Sequence, residues 1–325
     1  MVAKLTKLSL PGQKPKCPAK ESPPPIHEAM PLGARAPSPA KWHGSIAGED
    51  ARAPSAVPRR VDNRAEPCDA SRMKTTLDAL ASLLDTTLNC AAFRDASHNG
   101  LQLANNGEVT RVVAGVDASL RLFREAAVRG ADCVICHHGL SWGDSLARIT
   151  GLNHRLVSFA IEHNIAVYAA HLPLDAHPRY GNNAQLCKAL GLTGLKPAFD
   201  YHGQVIGFTA STAKPMPFEA FCDRVRATVN PDTRALAFGA ERVQKIGVVS
   251  GGASDMIGQA DALGVDVFLT GEPSLPGYNL AENLGMNVLF AGHYATETFG
   301  ARALAGLVSR KLKLPAEFID FKIGF

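Results

Sequence analysis

Apolar and polar positions alternate along most of the chain with two clear periods, and their order predicts a fold of alternating strands and helices. Apolar residues recur at helical spacing from Thr75 to Leu84, and Arg111 to Val116 reads as a strand. Asp117-Ala118-Ser119 opens a helix from Leu120 to Val128, stopped by Arg129-Gly130, and the apolar run Ala131 to Cys136 is of strand length. Strand, helix and strand in this order make a unit with parallel strands. The rhythm continues with helix His154 to His163, strand Ile165 to Ala170 and helix Asn182 to Leu190. A less regular middle follows: strand-like Val205 to Ala210, helix Phe218 to Val229 and strand Arg234 to Phe238, a section sized for a small insertion or subdomain. From Gln244 the alternation returns, with strands at Ile246 to Ser250, Val265 to Thr270, Val288 to Ala291 and Phe318 to Phe321, and helices at Ala253 to Leu263, Ser274 to Leu284 and Thr296 to Leu312. The expectation is an α/β protein with two βα-rich halves flanking a middle section.

Residues 1–72 break this pattern. They hold 12 of the 21 prolines and show almost no periodic apolar positions, which predicts a disordered Pro-rich extension. Two readings stay open for it: a genuine extension, or a start of the native chain at Met73, where Met73-Lys74 leads directly into a helical pattern. The formal charge of +4 then loses its meaning for the folded part: the first 72 residues carry 12 Lys+Arg and 7 Asp+Glu, a net +5, and the remainder 22 and 23, a net −1. Basicity therefore gives no specific nucleic-acid signal for residues 73–325. No stretch approaches the roughly 18 consecutive apolar residues of a membrane span, and the N-terminus lacks the apolar core of a signal peptide, so the cytoplasm is the expected compartment. Of seven cysteines, Cys133 and Cys136 with His137 match the spacing of a haem-attachment motif. Their place in an apolar strand, in a chain with no export signal, makes them small buried strand residues instead.

In parallel sheets, function gathers beyond the carboxyl ends of strands. Four groups fall there: His137-His138, then His171 with Asp175, then Glu272, then His293 with Glu297. Neighbouring residues of an extended segment point to opposite sides, so His137 and His138 suit two ions better than one. His293 and Glu297 are four apart at a helix start, which puts imidazole and carboxylate on one face. Asp175 offers a further carboxylate, and a mixed His/carboxylate set suits zinc, iron or manganese rather than calcium. Taken singly, each group has an ordinary structural role: a loop pair, a helix-start ion pair, a turn cap. The glycines of Ser250-Gly251-Gly252-Ala253-Ser254, between a strand and a helix, could hold a phosphate on free N–H groups or simply make a tight turn.

The joint pattern is more specific. Ile135-Cys136-His137-His138-Gly139-Leu140-Ser141-Trp142, Ala170-His171-Leu172-Pro173-Leu174-Asp175, Leu269-Thr270-Gly271-Glu272 and Gly292-His293-Tyr294-Ala295-Thr296-Glu297, with Ser97-His98-Asn99-Gly100-Leu101-Gln102 near the start, closely resemble the GTP cyclohydrolase 1 type 2 homolog family, also called NIF-three-like proteins. The likeness runs from about Met73 to the C-terminus. It implies two α/β lobes around a metal-binding cleft, a toroidal homo-hexamer, and two divalent ions per subunit held by His137, His138, Asp175, His293 and Glu297. The short span between Leu190 and Gln244 resembles the compact form that lacks an inserted domain. The family name implies hydrolytic opening of the guanine ring of GTP with release of formate, with Glu272 and His171 as candidate proton-transfer residues. Another two-metal hydrolase, such as a phosphoesterase, and a non-catalytic regulatory hexamer are the alternatives.

Overall fold

The computed structural model describes residues 73–324, apart from 144 and 145; the Pro-rich extension expected over residues 1–72 lies outside the described residues. In chain order the elements are β1 (Thr75–Thr76), α1 (Leu77–Leu88), β2 (Gly100–Leu103), β3 (Glu108–Val109), β4 (Val112–Asp117), α2 (Leu120–Val128), β5 (Cys133–His138), α3 (Gly151–Glu162), β6 (Ala166–Ala169), α4 (Leu172–Ala176) and α5 (Asn182–Ala189). They continue with β7 (Thr193–Tyr201), β8 (Gln204–Pro217), α6 (Phe218–Thr228), β9 (Arg234–Ala237), β10 (Arg242–Val248), α7 (Ile257–Ala262), β11 (Val267–Thr270), α8 (Leu275–Leu284), β12 (Asn287–Phe290), α9 (His293–Leu312) and β13 (Ala316–Phe318).

Two mixed sheets result. The first has the order β13-β4-β5-β6-β2, parallel except for the antiparallel edge strand β2. The second has the order β7-β8-β10-β11-β12-β9, with a parallel centre of β10, β11 and β12. The α/β expectation holds, and the middle section is corrected: β7, β8 and β9 are integral strands of the second sheet rather than an insertion. They add antiparallel strands to both of its edges, so the half-buried faces carry none of the continuous apolar signal of the parallel strands.

Local chemistry accounts for the principal helices. The Thr76 side chain accepts from the Ala79 amide to cap α1, Ser119 accepts from Leu122 to cap α2, and Ser274 accepts from Gly277 to cap α8. The 20-residue α9 lies against the first sheet through Ala301, Leu304, Leu307 and Val308, which pack with Leu80, Leu84, Ile135 and Tyr168 in one continuous core. The other face of that sheet is covered by α2 and α3 around Phe123, Val134 and Val167. In the second sheet Phe208, Phe221, Ile246 and Leu269 fill one face and Phe199, Ile257, Phe268 and Val288 the other. α9 also packs against α5, with Gly300 so close to the Asn182 side chain that an added Cβ would lie 2.5 Å from its oxygen. Among the described residues no helix is long and apolar enough to cross a membrane.

Candidate metal centre

The expected site residues converge, and the strand register explains how. His137 and His138 are the last two residues of β5 rather than its sequel. They do not diverge as an extended pair should: their ring centroids are 4.7 Å apart. Each ring is turned by a hydrogen bond from a neighbouring strand. Asp117 stands opposite His138 at the end of the β4–β5 ladder and accepts from its Nδ1 at 2.8 Å. The Ala170 carbonyl, just past β6, accepts from Nδ1 of His137 at 2.8 Å. The second sheet works alike. Backbone bonds from Ala291 to Thr270 and from Gly292 to Gly271 extend the β11–β12 ladder, and Glu272 then accepts from Nδ1 of His293 at 2.5 Å. Helix α9 begins at His293, earlier than the expected Thr296, so His293 and Glu297 share its first turns.

His171 follows the same rule. Its Nδ1 donates to Asp95 at 2.9 Å, its backbone amide to Asn99 Oδ1 at 2.7 Å, and the Leu172 amide to Asp95 at 3.0 Å. Thus four imidazoles each give Nδ1–H to an oxygen that can only accept, which makes Nε2 the nitrogen that carries the lone pair when the ring is neutral. Histidines that ligate metals carry this signature. One ring nitrogen each of His137, His138 and His171 lie within 4.8 Å of one another, and so do donor atoms of His138, His293 and Glu297.

Glu297 is the hub of the cluster. Its side chain is 4% exposed, with Oε1 at 3.5 Å from His137 Nε2 and 3.0 Å from His293 Nε2, and Oε2 at 3.3 Å from His138 Nε2. Yet Oε2 and the fully buried His137 Nε2 make no hydrogen bond with acceptable geometry. Buried polar atoms without partners are costly, and two in one cluster of imidazoles and carboxylates are what a ligand set looks like without its ion. Asp175 is peripheral to both tight groups: its Oδ1 is 3.6 Å from His137 Nε2 and accepts from Asn182 and Ser250 at 2.9 and 3.0 Å.

The charges are strongly coupled. Burial by itself would depress the His137 imidazolium, but the carboxylates of Asp175 and Glu297 outweigh it and lift the group to about 10. His293, also penalised by burial, is raised to about 9 by Glu297 and Glu272. Glu297 resists the upward push of its burial and is held well below the usual carboxylate range by His137, His293 and His138. In Asp95 burial again opposes ionisation, and hydrogen bonds from His171, Asn99 and Leu172 bring it down to about 2.

A match to the family model described as Duf34/NIF3 (NGG1p interacting factor 3) covers residues 75–323. The chain belongs to the Duf34/NIF3 family. It is 40% identical over 247 residues, 76% of this chain and 94% of the relative, to the GTP cyclohydrolase 1 type 2 homolog of Deinococcus radiodurans. Against the protein of the same name from Pyrococcus horikoshii it is 39% identical over 248 residues, 76% of this chain and 98% of the relative. The crystal structure of TTHA1606 from Thermus thermophilus superposes with a TM-score of 0.72 at 35% identity, covering 77% of this chain and all of that one.

Sequence reasoning missed two contributors to this Duf34/NIF3 site and read a third, Gly251, only as part of a tight turn or phosphate loop. Asp95 and Asp117 each orient a histidine, and Gly251 has a φ of +69° and would place a Cβ 2.4 Å from Glu297 Oε1. Only Asp117 carried a usable signal, being the last residue of the strand beside the His pair. Glu272 has its Oε1 committed to His293, which makes it an orienting partner. The Ser250–Ser254 glycine loop is a tight turn: the amides of Ser250, Gly251 and Ala253 donate to Asn183, Thr296 and Thr270 side chains. Cys133 and Cys136 are fully buried, their thiols pushed up by desolvation, as strand residues should be.

Proposed function

We propose that the protein is a dinuclear metal-dependent hydrolase, with His137, His138, Asp175, His293 and Glu297 holding two divalent ions of the zinc, iron or manganese class. The observation that carries the reading is the set of pinned imidazoles around a buried carboxylate whose Oε2, like His137 Nε2, lacks a hydrogen-bond partner. The Glu297 fork faces His137 and His293 with one oxygen and His138 with the other, which suits a carboxylate shared between two ions. When bound, such a pair supplies Lewis-acid chemistry and brings the pKa of water towards neutrality.

The chain's own contribution is orientation and proton handling. Asp117, Ala170 and Glu272 hold three donor rings in place. His171, fixed by Asp95, lines the same cleft, and we assign to it the giving or taking of a proton at the reacting group. The relatives' name points to hydrolytic opening of a purine ring with loss of formate, and a homo-hexamer is the assembly we propose with it.

The test is elemental analysis of the protein, of His138→Ala and of Glu297→Ala, followed by a substrate panel scored for formate and phosphate together. About two metal ions in the parent protein, depleted in both variants, with formate released from GTP, guanosine or another guanine derivative is the expected result. Phosphate without formate would make it a phosphoesterase. Full metal with no turnover would make it a regulatory metal-binding assembly, and equal metal in all three proteins would remove the site.

A further inference from the structure

The metal residues open onto a cavity of about 560 Å³ whose lining combines the polar His138, His171, Asp175, His293 and Glu297 with the apolar Trp142, Leu172, Ile206, Val249 and Met256. Trp142 is held as a fixed plate: its Nε1–H donates to the Gly139 carbonyl at 2.9 Å and its backbone bridges to Ser97. The ring lies 4.8 Å from His171 and 5.7 Å from His138, so a flat molecule resting on it would sit beside the donors. A size of several hundred Å³ and an apolar lining that carries a few polar groups are those of a small-molecule site.

What the cavity lacks is equally informative. Among the described residues no lysine or arginine lines it, nor the adjoining cavity of about 280 Å³ that shares His138, Glu272, His293 and Glu297. Five carboxylates do line the two: Asp117, Asp175, Asp255, Glu272 and Glu297. Two divalent ions would bring four positive charges, fewer than these five negative ones. The glycine loop at the rim has spent its Ser250, Gly251 and Ala253 amides on side chains of the protein, which leaves fewer of them for a phosphate. A neighbouring cavity that shares Glu272 carries Arg234, and it contains Asp232 as well. Arg179, Lys188, Arg302 and Arg310 gather in a separate cavity of about 740 Å³ that contains none of the donor residues.

We infer, resting on the hydrolase reading above, that the cleft takes an uncharged heteroaromatic ring, as a nucleobase or nucleoside, and discriminates against its phosphorylated forms. The apolar plate supplies attraction for the ring face. The carboxylate surplus repels a phosphate chain at the same mouth, since unpaired like charges across an interface oppose binding.

The experiment measures binding of guanosine, guanosine monophosphate and GTP to the zinc-loaded protein by calorimetry, at low and at high salt, with protein-bound zinc determined after each titration to correct for chelation. Affinity is expected to fall along the series, with about a tenfold loss from guanosine to GTP at low salt that narrows when salt screens the repulsion. Asp255→Lys, a change at an exposed residue of the lining, should strengthen monophosphate binding several-fold relative to guanosine. Affinity that rises with phosphate number, or that weakens on adding salt, would overturn the inference. So would the absence of guanosine binding with zinc fully retained, an outcome that leaves the metal centre standing. A protein that holds neither zinc, iron nor manganese would bring down the hydrolase reading and this inference with it.

Discussion

At the scale of single residues the site depends on groups that never face a ligand. Gly251 is the sharpest case, because its positive φ and the 2.4 Å approach of a would-be Cβ to Glu297 both forbid a side chain. Gly251→Ala should therefore displace Glu297 and cut metal content sharply, while circular dichroism shows an intact fold. Unchanged metal would mean that Glu297 is not the hub. Asp95 is the second case. Its carboxylate, 2% exposed, is depressed from 3.8 to about 2, so it adds stability above its ordinary titration range that is lost as pH falls from about 4 towards 2. Asp95→Asn should cost ~2 kcal/mol in urea unfolding at pH 7 and progressively less as the pH falls through that window. A cost independent of pH would show that the charge is not what stabilises.

At the scale of elements, α9 joins the packing to the chemistry. Its first turns carry His293 and Glu297, and its later turns bury Leu304 and Val308 at 0% exposure against the first sheet. Leu304→Ala should lower stability by about 2–5 kcal/mol in chemical unfolding, by lost burial and a cavity, yet leave metal content at saturating zinc unchanged. Loss of metal along with stability would mean that the helix's register, not its first turns alone, sets the donors. Elements also show what the sequence could and could not disclose. The parallel strands β4, β5, β6, β11 and β12 were legible because both faces are buried and the apolar runs are unbroken. Strand β7 was not: Gly194, Lys196 and Pro197 interrupt it and most of its residues are exposed. Their positions at strand ends made His137, His138, Asp175, His293 and Glu297 candidates, and the family resemblance implied the set. The orienting partners were not legible, since Asp95 is 76 positions from His171 and only the fold brings the two together.

At the scale of the whole molecule, the donors come from both sheets. His137 and His138 end a strand of the first, while His293 follows a strand of the second and Glu297 sits on the helix packed against the first. Ions held by all of them would tie the sheets together, so that metal binding becomes folding stability. The pH dependence of that stability has a definite sign. In the metal-free protein His137 and His293 are raised to about 10 and about 9, and a raised imidazole contributes stability that is complete below its unfolded value near 6.5 and is lost as pH climbs to the folded one. Metal must displace those protons, so its apparent affinity grows over the same interval, by up to about tenfold per pH unit for each proton released. Above pH 6.5 neither the metal-bound nor the unfolded protein carries these protons, so raising the pH weakens the metal-free fold and leaves the metal-bound one nearly unchanged. The melting temperature lost on chelation should therefore increase from pH 6.5 to pH 9, with free metal a thousandfold above its Kd adding ~4 kcal/mol. His138→Ala should show a much smaller loss. Calorimetric melts with and without chelator across this range provide the check, and a gap that stays flat or shrinks with pH would mean that these imidazoles are not the ligands.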